Sequence, residues 1–110
     1  TIGLNCSFGA AQLRPHVKTL AQIADALLLV YPNAGLPNEL GEYDEAPETT
    51  AALVADWAAD GQVNMLGGCC GSTPQHIAAI ARAVAGARPR AIPTLTPAMR
   101  LAGLEAFVAA

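Results

Sequence analysis

Short apolar runs alternate along the chain with spaced apolar stripes, and this alternation predicts strands followed by helices. The runs that we predict to be strands are residues 2–5, 26–31 and 63–66. The middle run is continuously apolar, which is typical of a parallel strand that is buried on both faces.

Apolar residues spaced three or four apart follow each predicted strand and indicate amphipathic helices. The three predicted helices are residues 10–24, 47–59 and 74–86. Pro47 and Pro74 stand at first helical positions, and Thr73 is a predicted N-cap. Pro15 is compatible with the first helix only if it lies near the first turn.

The repeated strand–helix order predicts an α/β fold with three adjacent parallel strands, because such crossovers are right-handed. A closed barrel of eight units needs about 250 residues, whereas this chain has 110. We therefore predict that residues 1–88 are the C-terminal three βα units of a TIM (β/α)8 barrel, incomplete in this chain. Residues 89–110 contain three prolines and are predicted to be a tail or linker, with one short turn near 99–104.

The composition predicts that apolar faces of this chain are buried against another polypeptide segment. Hydrophobic residues make up 53% of the chain and charged residues 14%. Open strand edges could then be covered by a missing N-terminal barrel portion or in a homodimer. We also expect the chain to begin inside a longer protein, since Thr1 is neither an initiator Met nor part of a signal peptide.

Charge and cysteine content narrow the functional class. The net charge of −3 argues against binding to nucleic acid or to an anionic membrane surface. No apolar run approaches the roughly 20 residues of a transmembrane helix. Three cysteines without secretory features indicate a reducing cytoplasm and a metal-binding or catalytic use.

The cysteines lie where parallel strands end, which is where α/β enzymes place their chemistry. Cys6 follows the first strand, and Cys69 and Cys70 follow the third on a glycine-rich turn. Three thiolates at one edge can bind a zinc ion and leave its fourth position open, as in catalytic sites. For Cys6 alone, a buried free thiol is the simpler interpretation.

Two other functions fit the cysteines less well. A non-catalytic zinc site would need a fourth strong ligand, and the chain has no fourth Cys and no well-placed His. A thiol redox protein would need a Cys-x-x-Cys motif, whereas Cys69 and Cys70 are adjacent. His16 and His76 lie on predicted helices away from the strand ends, so we predict surface or helix-end positions for them. Tyr43 and Trp57 are predicted to be packing residues.

Four segments together resemble the zinc-dependent homocysteine S-methyltransferase family. They are Gly3-Leu4-Asn5-Cys6, Tyr31-Pro32-Asn33-Ala34-Gly35-Leu36-Pro37-Asn38, Gly41-Glu42-Tyr43-Asp44 and Gly67-Gly68-Cys69-Cys70-Gly71. The ending Arg100-Leu101-Ala102-Gly103-Leu104-Glu105 is most similar to the homocysteine-binding module of cobalamin-dependent methionine synthases. The family fold is an eight-stranded βα barrel, of which this chain would carry strands six to eight.

The resemblance implies a site and a reaction. Cys6, Cys69 and Cys70 would be zinc thiolates, with Asn33 as a weak fourth ligand in the substrate-free site. Among the acidic loop residues, Asp44 is the candidate contact for the substrate amine. A zinc-activated homocysteine thiolate would take a methyl group from methylcobalamin, held on another module, to give methionine.

Alternatives within this class stay open. The donor could be S-methylmethionine or betaine, or the chain could be a non-catalytic zinc-binding fragment. The family's contacts to the amino and carboxylate groups of homocysteine come largely from the N-terminal part, so we expect these residues alone to be inactive. The partners implied are homocysteine, the missing barrel portion, and cobalamin or folate modules.

Overall fold

Three parallel strands alternate with three helices, which confirms the predicted α/β class. The strands are β1 (Ile2–Gly9), β2 (Leu28–Asn33) and β3 (Met65–Leu66), in the sheet order β1-β2-β3. The helices are α1 (Ala10–Ile23), α2 (Pro47–Ala59) and α3 (Pro74–Val84). The structure, a computed structural model, describes residues 1–109. Within them the sheet is open and does not close into a barrel.

The central strand β2 organises the hydrophobic core. Its Leu28 and Val30 are fully buried and pair with Ile2 and Leu4 of β1. Helices cover this face of the sheet and supply most of the remaining core, which includes Leu13, Val17, Val54, Trp57 and Ile80. Trp57 is thus a packing residue, as predicted.

The opposite face of β2 differs from the prediction that this strand is buried on both faces. Leu29 and Tyr31 are only half-buried, because no second layer of the described residues covers them. Each leans over a glycine of a neighbouring strand end: a Cβ at Gly3 would overlap the Leu29 side chain, and one at Gly67 would lie 2.9 Å from the Tyr31 ring. Each of these two side chains on β2 therefore fills space that a glycine on one neighbouring side leaves open.

The predicted helices α2 and α3 are confirmed, although α3 ends at Val84 rather than at residue 86. Helix α2 begins at Pro47 and ends at Ala59. Thr73 caps α3 in a reciprocal capping box with His76.

Pro15 shows that the prediction for α1 was wrong in one respect. It lies in the second turn rather than the first. Proline removes one helical hydrogen bond, but Ala11 and Pro15 are both exposed, so water can bind the unpaired carbonyl. The helix therefore continues through this position to Ile23.

The last residues form a hairpin rather than a single short turn. Strands β4 (Met99–Leu101) and β5 (Phe107–Ala109) pair antiparallel. The alternation of apolar and polar residues in this region is too short, and too close to three prolines, to predict a pair of strands. No helix among the described residues is both long enough and apolar enough to span a membrane.

Arg90 is a buried residue that the sequence pattern did not reveal. Its guanidinium donates hydrogen bonds to the carbonyls of Ala21, Ala24 and Ala26, at and beyond the C-terminus of α1. Its backbone N–H donates to Val63 O at 3.0 Å. A cation at this end of α1 also complements the helix dipole. Arg90 therefore fastens α1 to the segment that enters β3.

We predict that Arg90→Ala destabilises the chain by about 2–4 kcal/mol, because several hydrogen bonds from one charged group are lost together. Chemical denaturation followed by circular dichroism measures this. The matched control is Arg88→Ala, since Arg88 is exposed and its loss should change the free energy of unfolding by less than about 0.5 kcal/mol. Equal effects of the two changes would contradict the role assigned to Arg90.

Candidate metal centre

The three cysteines meet at the carboxyl edge of the sheet, as predicted. Their sulfur atoms all lie within 4.8 Å of one another, and the Sγ atoms of Cys6 and Cys70 are 3.6 Å apart. Cys6 and Cys69 are half-buried, whereas Cys70 is exposed. The arrangement can hold a metal ion, and no other Cys, His, Asp or Glu of residues 1–109 joins the group.

Strand β1 presents Cys6 on an irregular turn of backbone. Cys6 and Ser7 have φ values of 62° and 65°, and the pairing with β2 jumps from Asn5 to Gly9. Left-handed backbone costs roughly 1–2 kcal/mol per non-glycine residue. Such strain is concentrated at functional sites, and here it falls on a candidate ligand.

The loop after β3 presents Cys69 and Cys70 because it is hydrogen-bonded to the end of β2. Cys69 N donates to Pro32 O, and Ala34 N donates to Cys70 O, both at 2.9 Å. Ser72 N closes the turn by donating to Cys69 O at 3.0 Å. The two adjacent cysteines are therefore fixed by backbone rather than by their own packing.

Asn33 lies at the same edge and is 2% exposed. Its Oδ1 accepts a hydrogen bond from Cys70 N at 3.1 Å, and its side chain also helps lower the pKa of Cys6. The structure thus places Asn33 between two of the cysteines. Its predicted role as a fourth ligand stays a prediction.

Glycine is required at Gly71. Its φ is +81°, and a Cβ there would overlap the Cβ and Cγ of Tyr43 and lie 3.2 Å from Ala34 Cβ. The loop that contains Tyr43 therefore packs directly on the cysteine turn. This close approach could not be read from the glycine-rich motif alone.

The thiols differ in acidity. The N–H of Ser7, followed by the thiols of Cys70 and Cys69, lowers the pKa of Cys6. Hydrogen bonding of Cys70 to Cys6 and Cys69, with the negative charge of those two sulfurs, raises the pKa of Cys70. Cys6 is therefore the first of the two to become a thiolate as pH rises, and Cys70 the later one.

Tyr43 packs against Gly71, which agrees with its predicted packing role; its position beside the candidate metal ligands was not predicted. Burial, and then the charge of Cys70 and a hydrogen bond with it, raise the pKa of the Tyr43 phenol. The charges of Cys6 and Cys69 act in the same direction. The position of Tyr43 in the Gly41-Glu42-Tyr43-Asp44 segment was the available signal.

The remaining polar candidates lie outside the cysteine group. His16 is exposed on α1, as predicted. His76 is at a helix end, as predicted, but it is buried rather than on the surface: Nε2 lies 2.7 Å from Glu45 O. A carbonyl can only accept, so Nε2 donates and His76 ties α3 to the loop before α2. Asp44 is exposed and accepts from Asn38 Nδ2 at 2.8 Å; its contact with substrate stays a prediction.

The cysteine group lies in a part of the chain that matches a known family. Residues 1–84 match the family model described as homocysteine S-methyltransferase. The matched part contains every residue of the cysteine group, Asn33 and Tyr43. It does not include the hairpin β4–β5.

We predict that Gly71→Ala destabilises the chain more than Gly41→Ala. Both glycines have positive φ, but a Cβ at Gly41 meets nothing within 4 Å. Gly41→Ala should therefore cost only the backbone strain of about 1–2 kcal/mol, and Gly71→Ala should cost about 1–3 kcal/mol more through overpacking. Urea unfolding of the two variants measures the difference. Equal costs would show that Tyr43 does not press on the cysteine turn.

Proposed function

The chain belongs to the homocysteine S-methyltransferase family, and from this premise we propose that it carries the zinc-binding end of an enzyme that methylates homocysteine to methionine. The observation that carries the proposal is the convergence of three cysteine sulfurs within 4.8 Å at the carboxyl edge of a parallel sheet. The family as a whole transfers methyl groups to homocysteine. We also propose that the metal is zinc, that the methyl donor is methylcobalamin, and that the chain is part of a complete barrel.

The dimensions of the cysteine group support zinc. Sulfur ligands at about 2.3 Å from a tetrahedral zinc ion are about 3.8 Å apart, and the Cys6–Cys70 separation is 3.6 Å. Cys6, Cys69 and Cys70 would hold the ion. When bound, zinc supplies a Lewis acid that lowers the pKa of a substrate thiol and so makes it a nucleophile at neutral pH.

The protein's own residues set the charge of the site. Three cysteinates around a dication leave a formal charge of −1, which keeps electron density on the sulfur atoms. The Ser7 N–H lowers the pKa of Cys6, so this ligand loses its proton at a lower pH than an ordinary cysteine. Asn33 would be the weak fourth ligand that substrate displaces, and its hydrogen bond from Cys70 N supports this role.

The reaction itself is a displacement at a methyl carbon. The homocysteine sulfur forms the new S–CH3 bond with its lone pair, while the bond between methyl and donor breaks and the donor keeps the electron pair. We propose methylcobalamin on another module as the donor. The similarity of residues 100–105 to cobalamin-dependent enzymes supports this choice, and S-methylmethionine or betaine would be the donor if cobalamin fails to react.

We further propose that the three βα units belong to a TIM (β/α)8 barrel. The open sheet has two unpaired outer strands, β1 and β3. Leu29 and Tyr31 lean over Gly3 and Gly67, and such alternation of large and small residues on neighbouring strands fits the layered interior of a barrel. The missing strands would come from an N-terminal portion outside residues 1–110, which would also supply the anchors for the homocysteine amino and carboxylate groups. Turnover by these residues alone is therefore not expected.

The cellular setting proposed is the cytoplasm. The three cysteines are free thiols in the structure, and free thiols persist where glutathione and thioredoxin keep them reduced.

We predict that the chain binds one zinc ion through three sulfur atoms and that Cys70→Ser weakens binding more than about 100-fold. Loss of even an outer-shell partner costs about 10- to 100-fold, and here a direct ligand is lost. Competition with a chromophoric chelator measures affinity, and X-ray absorption identifies the neighbouring atoms.

The control is Ser72→Ala, because Ser72 Oγ has no hydrogen-bond partner among the described residues. Its zinc affinity should match that of the unchanged chain. A first shell made mainly of nitrogen and oxygen would contradict the proposed ligand set.

We predict that the 110-residue chain self-associates through its open strand edges, since unpaired strands tend to pair. Ile2 on β1 is 45% exposed, so Ile2→Lys should reduce the dimer fraction in analytical ultracentrifugation. Leu40→Lys is the matched control, because Leu40 is 83% exposed in a loop. A monomer with a sharp cooperative melt would contradict edge pairing.

A further inference from the structure

We propose that His76 is a positioning residue for the candidate metal centre: its imidazole holds the loop of residues 37–46 against the turn that carries Cys69 and Cys70. The inference rests on the proposed zinc-dependent function and adds to it a residue that contacts neither metal nor substrate. By fixing the loop, His76 limits access to the sulfur atoms from that side of the site.

The hydrogen-bond partners of the His76 imidazole fix the position of its proton. Nε2 lies 2.7 Å from Glu45 O, and because a carbonyl can only accept, Nε2 carries the hydrogen. Thr73 N donates to Nδ1 at 3.2 Å, so Nδ1 carries none and the ring is neutral. Both nitrogens are thus occupied, and the ring has no lone pair left for a metal ion.

Burial makes these hydrogen bonds necessary. His76 is 5% exposed, and polar groups at such positions are almost always hydrogen-bonded, since water cannot reach them. If the ring lost Glu45 O, its Nε2–H would have no partner among the residues that surround it. The bond to Glu45 is therefore a fixed link between α3 and the loop.

Glu45 is the point at which the loop is anchored to several elements. Thr50 of α2 is fully buried, and its hydroxyl donates to Glu45 Oε2 at 2.6 Å. A Cβ at Gly35, just beyond β2, would lie 3.1 Å from Glu45 Cβ. With the bond from His76, three elements meet at this one residue, and it is the part of the loop that they hold.

The rest of the loop is braced by contacts within itself. Pro37 and Tyr43 form an antiparallel bridge, and Asn38 N donates to Glu42 O at 2.7 Å. Leu40 at the tip is 83% exposed. These contacts keep the shape of the loop but do not attach it to the cysteine turn, so its position depends on the residues near its end.

Two contacts join that end of the loop to the cysteine turn. Tyr43 Cβ and Cγ occupy the space that a side chain at Gly71 would need, and His76 bonds Glu45 two residues further along. The first contact is packing, and the second is directional. Cys69 is half-buried whereas Cys70 is exposed, so we expect loosening of the loop to be most visible at Cys69.

The test compares two substitutions of His76 in the metal-free 110-residue chain. The amide oxygen of His76→Asn lies about where Nδ1 does and can accept from Thr73 N, but the side chain is too short to reach Glu45 O. His76→Gln is longer and can place its NH2 group near the position of Nε2. We expect iodoacetamide to alkylate Cys69 about 5-fold faster in His76→Asn, the factor that fits one ordinary hydrogen bond, and His76→Gln to restore the slower rate.

Tandem mass spectrometry assigns the alkylated cysteine, and two controls test the cause. Thr73→Ala removes the hydroxyl that accepts from His76 N but keeps the bond to Glu45 O, so it should raise the Cys69 rate less than His76→Asn does. His16→Asn makes the same substitution at an exposed position and should change the rate by less than about two-fold. A Cys69 rate that is unchanged in His76→Asn, or equally raised in Thr73→Ala, would overturn the proposal.

Zinc release separates this inference from the proposed function. In His76→Asn, zinc should pass to a chromophoric chelator about 5-fold faster, while X-ray absorption still shows three sulfur neighbours. An unchanged release rate would show that the loop does not limit access to the metal. A chain that binds no zinc would overturn the metal part of the proposed function, whereas alkylation of the metal-free chain would still decide the role of His76.

A last measurement needs no substitution and applies even if His76→Asn does not fold. Nuclear magnetic resonance spectra that correlate ring nitrogens with ring protons report which nitrogen carries the hydrogen at neutral pH. We expect the Nε2–H form alone for His76, whereas the exposed His16 should exchange between its forms. A His76 ring that carries its hydrogen on Nδ1 would overturn the bond to Glu45 O and the proposal with it.

Discussion

The pairing of β2 with both neighbouring strands is the constraint on which the rest of the structure depends. It sets the carboxyl ends of three parallel strands side by side, and its hydrogen-bond pattern continues beyond β3 through Cys69 N, Pro32 O, Ala34 N and Cys70 O. Cysteines that are more than sixty positions apart in sequence are therefore brought together by backbone pairing.

The site combines rigidity with local strain. The left-handed backbone at Cys6 and Ser7 is unfavourable by itself, and the surrounding pairing of β1 with β2 on both sides of it keeps it in place. The Ser7 N–H in the same irregular turn lowers the pKa of Cys6. Strain at this point thus falls on a candidate ligand whose acidity the backbone changes.

The open face of the sheet is the feature of this fold that fits the proposed barrel. Helices bury Leu28 and Val30 on one face of β2, while Leu29 and Tyr31 on the other face are half-buried, and each lies over a glycine of a neighbouring strand. In the proposed barrel, further strands would cover this apolar face. Arg90 closes the opposite end of the same unit by holding α1 to the start of β3.

The sequence by itself determined the order of strands and helices, the capping of α3, and the meeting of the three cysteines. These features depend on local periodicity and on a general rule of parallel sheets, so no knowledge of side-chain contacts was needed. The tertiary structure alone decided the bulge at Cys6, the burial of Arg90 and His76, and the contact of Tyr43 with the cysteine turn. Each of these depends on atoms brought together from distant parts of the chain, and the residue types at these positions are compatible with many other surroundings.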